Sequence, residues 1–178
     1  MLTAQWLADW KANLDSVTGR ALRQARAAGL EYDEHRIGPP AHELDLTARL
    51  PWAPDALAVL YRHIGPVSLP DIGNGYFLHS VDSLTDCLDQ DGYPDHIGEP
   101  FSTNVEIVVF GSNGGGDLYA IGTHDGRVYR LREAQYLHGV YSGTTAGITT
   151  IGEDLRDFLQ RFLTAVTAFA ADGTIVDL

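Results

Sequence analysis

Apolar residues recur at helical spacing at both ends of the chain and at strand-like spacing through its middle. Trp6, Leu7, Trp10 and Leu14, followed by Val17, Ala21, Leu22, Ala25 and Ala28, mark one face of a helix across the first 30 residues, which Gly29 is expected to stop. Residues 31–48 mix acids with the cluster Gly38-Pro39-Pro40 and read as an extended connector between an N-terminal helical arm and the main body. A second helix is the best marked. Pro54 suits its first position, Asp55 puts a carboxylate in its first turn, Leu57, Leu60, Tyr61 and Ile64 share a face, and Gly65 follows Arg62 and His63 as a stop.

Pro66–Leu69 and Tyr76–Ser80 read as short strands, with Asp82 capping a brief helix that runs to Leu88. Gln90–Thr103 is rich in Asp, Gly and Pro and is expected to be an exposed loop. The β-branched run Val105–Phe110 predicts a central strand leading into Gly111-Ser112-Asn113-Gly114-Gly115-Gly116-Asp117. Leu118–Ile121 and Arg127–Leu131 flank a glycine-containing loop as an antiparallel hairpin, and a weaker strand is expected around Tyr136–Tyr141. Glu153 and Asp154 then open a last helix with the stripe Leu155, Phe158, Leu159, Phe162, Leu163 and Val166, ended by Gly173. Helices at both ends of a strand-rich middle predict an α+β fold.

The 178 residues, 44% of them hydrophobic, suffice for one core and predict a single domain. No apolar run approaches the ~20 residues a membrane-spanning helix needs, and the N-terminus lacks a leader pattern, so a soluble, cytoplasmic protein is expected. Cys87, the single cysteine, fits that compartment. With 24 acidic and 12 basic residues the formal charge is −12, a field that repels nucleic acid and anionic membranes and speeds encounter with a basic partner.

Motifs that carry chemistry are missing where they would be needed. The glycine run before Asp117 lacks the Lys and Ser or Thr of a P-loop and enters a strand, so it has no helix N-terminus to offer a dinucleotide. Its structural reading is a tight strand connection, with glycines at positive φ and Asp117 bonded to local amides. Seven scattered histidines form no metal-ligand pattern, Cys87 shares an apolar face with Leu84 and Leu88, and the adjacent acids Asp33/Glu34, Asp89/Asp91 and Glu153/Asp154 suit solvated faces. No catalytic residue, metal or cofactor is assigned, and no enzyme activity is expected.

The order of several features resembles the SUKH superfamily, which includes fungal cell-wall-assembly regulators and many bacterial immunity proteins. Leu50-Pro51 precedes a helix ending in Leu60-Tyr61 and then Gly65. Val108-Val109-Phe110-Gly111-Ser112-Asn113-Gly114-Gly115-Gly116-Asp117-Leu118-Tyr119-Ala120-Ile121 looks like that family's strand, glycine turn and Asp-led strand, and Phe158-Leu159 sits in a similar terminal helix. The resemblance spans roughly residues 50–170. It implies a bent, mostly antiparallel sheet flanked by helices, a family-like unit over 49–172 preceded by an arm and linker over 1–48, and one compact unit overall. For function it implies stoichiometric binding of a protein, typically a polymorphic toxin and often a nuclease encoded alongside. A regulatory scaffold of the cell-wall type is the alternative, and a small-ligand-binding protein or enzyme the second. The acidic loop residues Asp89, Asp91, Asp95 and Glu99 are the candidate partner-facing groups. Trp6, Trp10 and Trp52 are core residues on one reading and a dimer face on the other.

Overall fold

A computed structural model describes residues 1–32, 35–42, 51–89, 92–98, 105–132, 136–137, 139–141 and 147–178, with the side chains of 87–89 and 136–137 excepted. Among them are four helices and ten strands that form a mixed, mostly antiparallel sheet with helices at both ends of the chain, an α+β fold. Helix α1 (Ala4–Ala27) is capped by Thr3, whose hydroxyl accepts from Trp6 N, and ends before Gly29 at φ 74°. Its apolar stripe, Leu7, Trp10 and Leu14, lies in the same core as the sheet, packed against α4 (Leu155–Asp172). The arm is therefore part of the body. Of the three tryptophans, Trp10 is core and donates Nε1–H to Leu159 O at 2.7 Å, Trp6 is half-buried beneath the Arg156 guanidinium, and Trp52 is exposed.

The connector is a strand in part. Arg36–Ile37 (β1) pairs with β2 (Val67–Leu69), Gly38 N donates to Pro66 O at 2.7 Å, and Ala41 N donates to Tyr61 O at 2.9 Å. Helix α2 (Asp55–His63) begins one residue later than expected, with Pro54 as its cap, and Gly65 does not end it. Ile64 leaves the helix in extended conformation, and Gly65 is instead a point of close approach: a Cβ there would lie 2.1 Å from Pro39 O and 2.4 Å from Gly38 O. The glycine is what lets the connector lie against α2. β3 (Tyr76–Leu78) leads into α3 (Val81–Asp89), which Ser80 caps in place of Asp82: its Oγ accepts from Ser83 N at 3.1 Å. β4 (His96–Ile97) falls within the stretch expected to be loop.

The centre is β5 (Val105–Asn113), three residues longer than Val105–Phe110. One of its edges is shared, β4 pairing with 105–106 and β3 with 111–113, while β6 (Leu118–Gly122) pairs along the other. β7 (Val128–Leu131) and β10 (Ile148–Gly152) continue outward from β6. β8 (Tyr136–Leu137) and β9 (Val140–Tyr141) form a hairpin where one strand was expected, and β9 joins β4 in parallel. A register shift between Val109 and Gly111 leaves Phe110 as the extra residue of a bulge, the feature that bends such a strand. Val108 and Phe110 face the helices, whereas Ile107 and Val109 join Ile97, Leu118, Ala120, Leu131 and Tyr141 in a smaller cluster on the other face. Both faces are thus covered, which is why β5 and β6 read as continuous apolar runs.

The glycine turn between β5 and β6 is organised by Asn113, not by Asp117. Asn113 Oδ1 accepts from Gly115 N at 3.0 Å and Asp117 N at 2.9 Å, Asn113 Nδ2 donates to Asp117 Oδ2 at 3.0 Å, and Gly116 supplies φ 93°. Gly114 N donates to Asn74 O at 2.8 Å, docking this turn on the β2–β3 turn.

Glycine close approach is testable by contrast. Gly65→Ala should lower stability by about 2–3 kcal/mol through overpacking, read as a fall in the urea midpoint. Gly19→Ala, within α1 and meeting only Arg23 Nη1 at 3.4 Å, should raise stability by about 0.5–1 kcal/mol through helix propensity.

Candidate protein-binding surface

Charge is distributed unevenly along the sequence. Between Arg62 and Arg127 the chain has no Lys or Arg but ten acids, which are Asp71, Asp82, Asp86, Asp89, Asp91, Asp95, Glu99, Glu106, Asp117 and Asp125. This stretch makes β2–β6 and α3. On α3, Asp82 and Asp86 are exposed and one turn apart, a like-charge spacing that weakens an isolated helix. Buried Val81 and Leu84 and the Ser80 cap hold α3 in place regardless.

Asp95 stands at the entrance to β4. Its backbone O accepts from Ile107 N at 2.8 Å, its N donates to Gly139 O at 2.8 Å, and its half-exposed carboxylate meets His96 Nδ1 at 2.8 Å. His96 is in register with Glu106 on β5, whose carboxylate accepts from the Thr123 hydroxyl at 3.0 Å and lies 3.5 Å from His124 Nε2. Asp95, His96, Glu106 and His124 thus form a polar row across β4, β5 and the end of β6.

His79 joins this row to α3. Its ring stacks on Tyr93 with centroids 5.3 Å apart and planes 11° apart, and its Nε2 is 3.1 Å from Ser112 Oγ. Tyr93 belongs to the segment that carries Asp95, and His79 directly precedes the Ser80 cap, so the stack fixes both acidic elements relative to β5. Burial disfavours the imidazolium and pushes the His79 pKa down to about 4.

Of the four acids anticipated for the partner face, Asp95 is half-exposed before β4, Asp89 closes α3 with its side chain outside the described residues, and Asp91 and Glu99 lie outside them altogether. The residues that carry the family resemblance do not gather into a site. Leu50 is outside the described residues, Pro51 is in an exposed turn, Gly65 serves the α2–connector contact, and Phe110, Gly111, Gly114, Gly115, Gly116 and Asp117 build the β5–β6 hairpin. Asp86 and Glu106 were not anticipated. The signal that identifies them is the missing Lys and Arg across 63–126, visible in the sequence but diluted when charge is summed over the whole chain.

Among the described residues no group of three or more His, Cys, Asp or Glu is placed to hold a metal ion, and no helix is long and apolar enough to cross a membrane. No family model, curated protein or solved structure matches the chain. Chemically, the surface can present carboxylates at fixed spacing to cationic side chains.

The buried imidazole makes stability depend on pH in a defined direction. Above pH 6.5 His79 is neutral in both folded and unfolded chains and contributes nothing. Below it the unfolded chain takes up a proton that the folded chain refuses until about pH 4, so stability falls across that window by about 3 kcal/mol at most. His79→Phe, which keeps a ring against Tyr93, should flatten the fall between pH 6.5 and 4 in denaturant titrations. An unchanged slope would show that His79 is not the group responsible.

Proposed function

We propose that this chain is a non-catalytic binding domain that neutralises a basic protein, most simply a cognate toxin of nuclease type, by covering its cationic surface. The observation that supports this reading is the row of acids from Asp82 and Asp86 on α3 to Asp95 just before β4 and Glu106 on β5, with no Lys or Arg in the segment that forms it. A surface that binds phosphates is lined by Lys and Arg, and carboxylates at fixed positions compete for it. The resemblance of Val108–Ile121 to the SUKH glycine-turn hairpin points the same way.

Rigidity favours the reading as well. The acids sit on hydrogen-bonded strands and a capped helix, so little ordering entropy opposes binding, and net charge steers a basic partner inward.

The test is binding and rescue with the product of the neighbouring gene. One-to-one binding, with restored growth on co-expression, is expected. The double variant Asp82→Lys/Asp86→Lys should slow association about tenfold at low salt and flatten its dependence on ionic strength. A neighbour that neither binds nor harms cells would overturn the immunity reading; unaltered kinetics in the variant would remove α3 from the interface.

A further inference from the structure

On the other side of the sheet from β4, a cavity of about 370 Å³ opens between β10, α4 and the segment Val176–Leu178. Its walls are part apolar, from Ile151, Val176 and Leu178, and part polar, from Thr150, Gln160 and Thr164. Arg130 of β7 also lines it, although its side chain is only 6% exposed. The strand pattern explains the position: Val128 faces the helix-side core, and Arg130, two residues on, projects to the same face where the core ends.

A buried guanidinium is costly unless its five N–H donors are used. Arg130 uses one. Its Nη1 donates to Asp177 Oδ1 at 2.5 Å, and its Nε, fully buried, is 4.0 Å from Asp117 Oδ2 and makes no hydrogen bond. Nη2 has no hydrogen-bond partner either but is not among the fully buried atoms, so it remains reachable from solvent. The same guanidinium already recognises a carboxylate, since Asp177 bridges Arg130 and Arg132, the latter at 2.6 Å. With Arg161, paired to Asp157 at 3.0 Å, the surroundings hold three guanidinium groups and three carboxylates, Asp117, Asp157 and Asp177. Side-chain charges here are matched, three against three, whereas residues 63–126 contain no Lys or Arg at all.

We propose that this cavity binds a small organic carboxylate with an apolar body, its carboxylate on Nη2 of Arg130 and its hydrocarbon against Ile151, Val176 and Leu178. The site is separate from the acidic surface and does not depend on the function proposed for it. The probe is sodium hexanoate, titrated into ¹⁵N-labelled full chain, with hexanamide as the uncharged match. Hexanoate should produce saturable shifts confined to the amides of 149–151, 160–164 and 176–178 and to Arg130 Nε–H, and hexanamide should bind at least about tenfold more weakly. Arg130→Gln should abolish the response. Should that variant fail to fold, Thr164→Trp, on the exposed face of α4 at the cavity wall, should block it while leaving distant amides unmoved. Scattered or non-saturating shifts, equal binding of hexanamide, or a full response in Thr164→Trp would overturn the proposal.

Discussion

Two rings one turn apart on α4, Phe158 and Phe162, are where the separate parts of the chain meet. Phe158 stands edge-on to Phe110 of β5 at 5.4 Å and packs on Tyr119 of β6 at 5.3 Å, while Phe162 touches Trp10 of α1 at 5.9 Å and Tyr76 of β3 at 5.4 Å. Aromatic pairs of this geometry add directional preference to a large buried area. They hold the first helix, the last helix and strands β3, β5 and β6 in one core. Trp10 Nε1–H, given to Leu159 O between the two rings, fixes the height of α1 on α4. The polar end of the same arrangement is Tyr76, whose hydroxyl donates to Val176 O and so brings the final segment back across the sheet.

What could be read from sequence follows from where each element gets its stability. Both long helices are legible because their apolar stripes and their stops, Gly29 and Gly173, are local features. β5 and β6 are legible because they are buried on both faces. β1, β4 and β10 are not: Arg36–Ile37 and His96–Ile97 are two-residue strands fixed by partners far along the chain, and Ile148–Gly152 carries two exposed threonines with no alternation to announce it. Gly65 was readable as special, but whether for a left-handed turn or for close approach depends on Pro39, 26 positions earlier. The same limit applies to the acidic surface. Its composition is in the sequence, whereas the joining of Asp95 to α3 depends on the His79–Tyr93 stack, which no spacing rule foretells.

The net charge is concentrated along the chain: residues 63–126 have ten acids and no Lys or Arg, and the other residues have 14 acids against 12 Lys and Arg. β2 to β6 and α3 lie in the acidic segment, whereas Arg127, Arg130, Arg132, Arg156 and Arg161 share the rest of the chain beyond it with six acids, Glu133, Glu153, Asp154, Asp157, Asp172 and Asp177. Arg127, Arg132 and Arg161 pair with Glu153, Asp177 and Asp157 of their own region, and Arg130 stands between Asp177 and Asp117, so these arginines leave most of the acidic segment uncompensated. Residues 63–126 thus hold ten of the twelve net negative charges of the chain.

Between the two regions lies β6, with all five residues buried and strands paired on both sides. Coupling between distant sites requires an element with two stable arrangements, and a doubly paired, fully buried strand is a poor candidate for one. The smaller cluster reinforces it: Tyr141, buried beside Leu118 and Leu131, gives its hydroxyl to Arg132 O at 2.7 Å and so ties β9 to the end of β7. A carboxylate seated on Arg130 would consequently stabilise the fold, with the doubly paired β6 standing between it and β4.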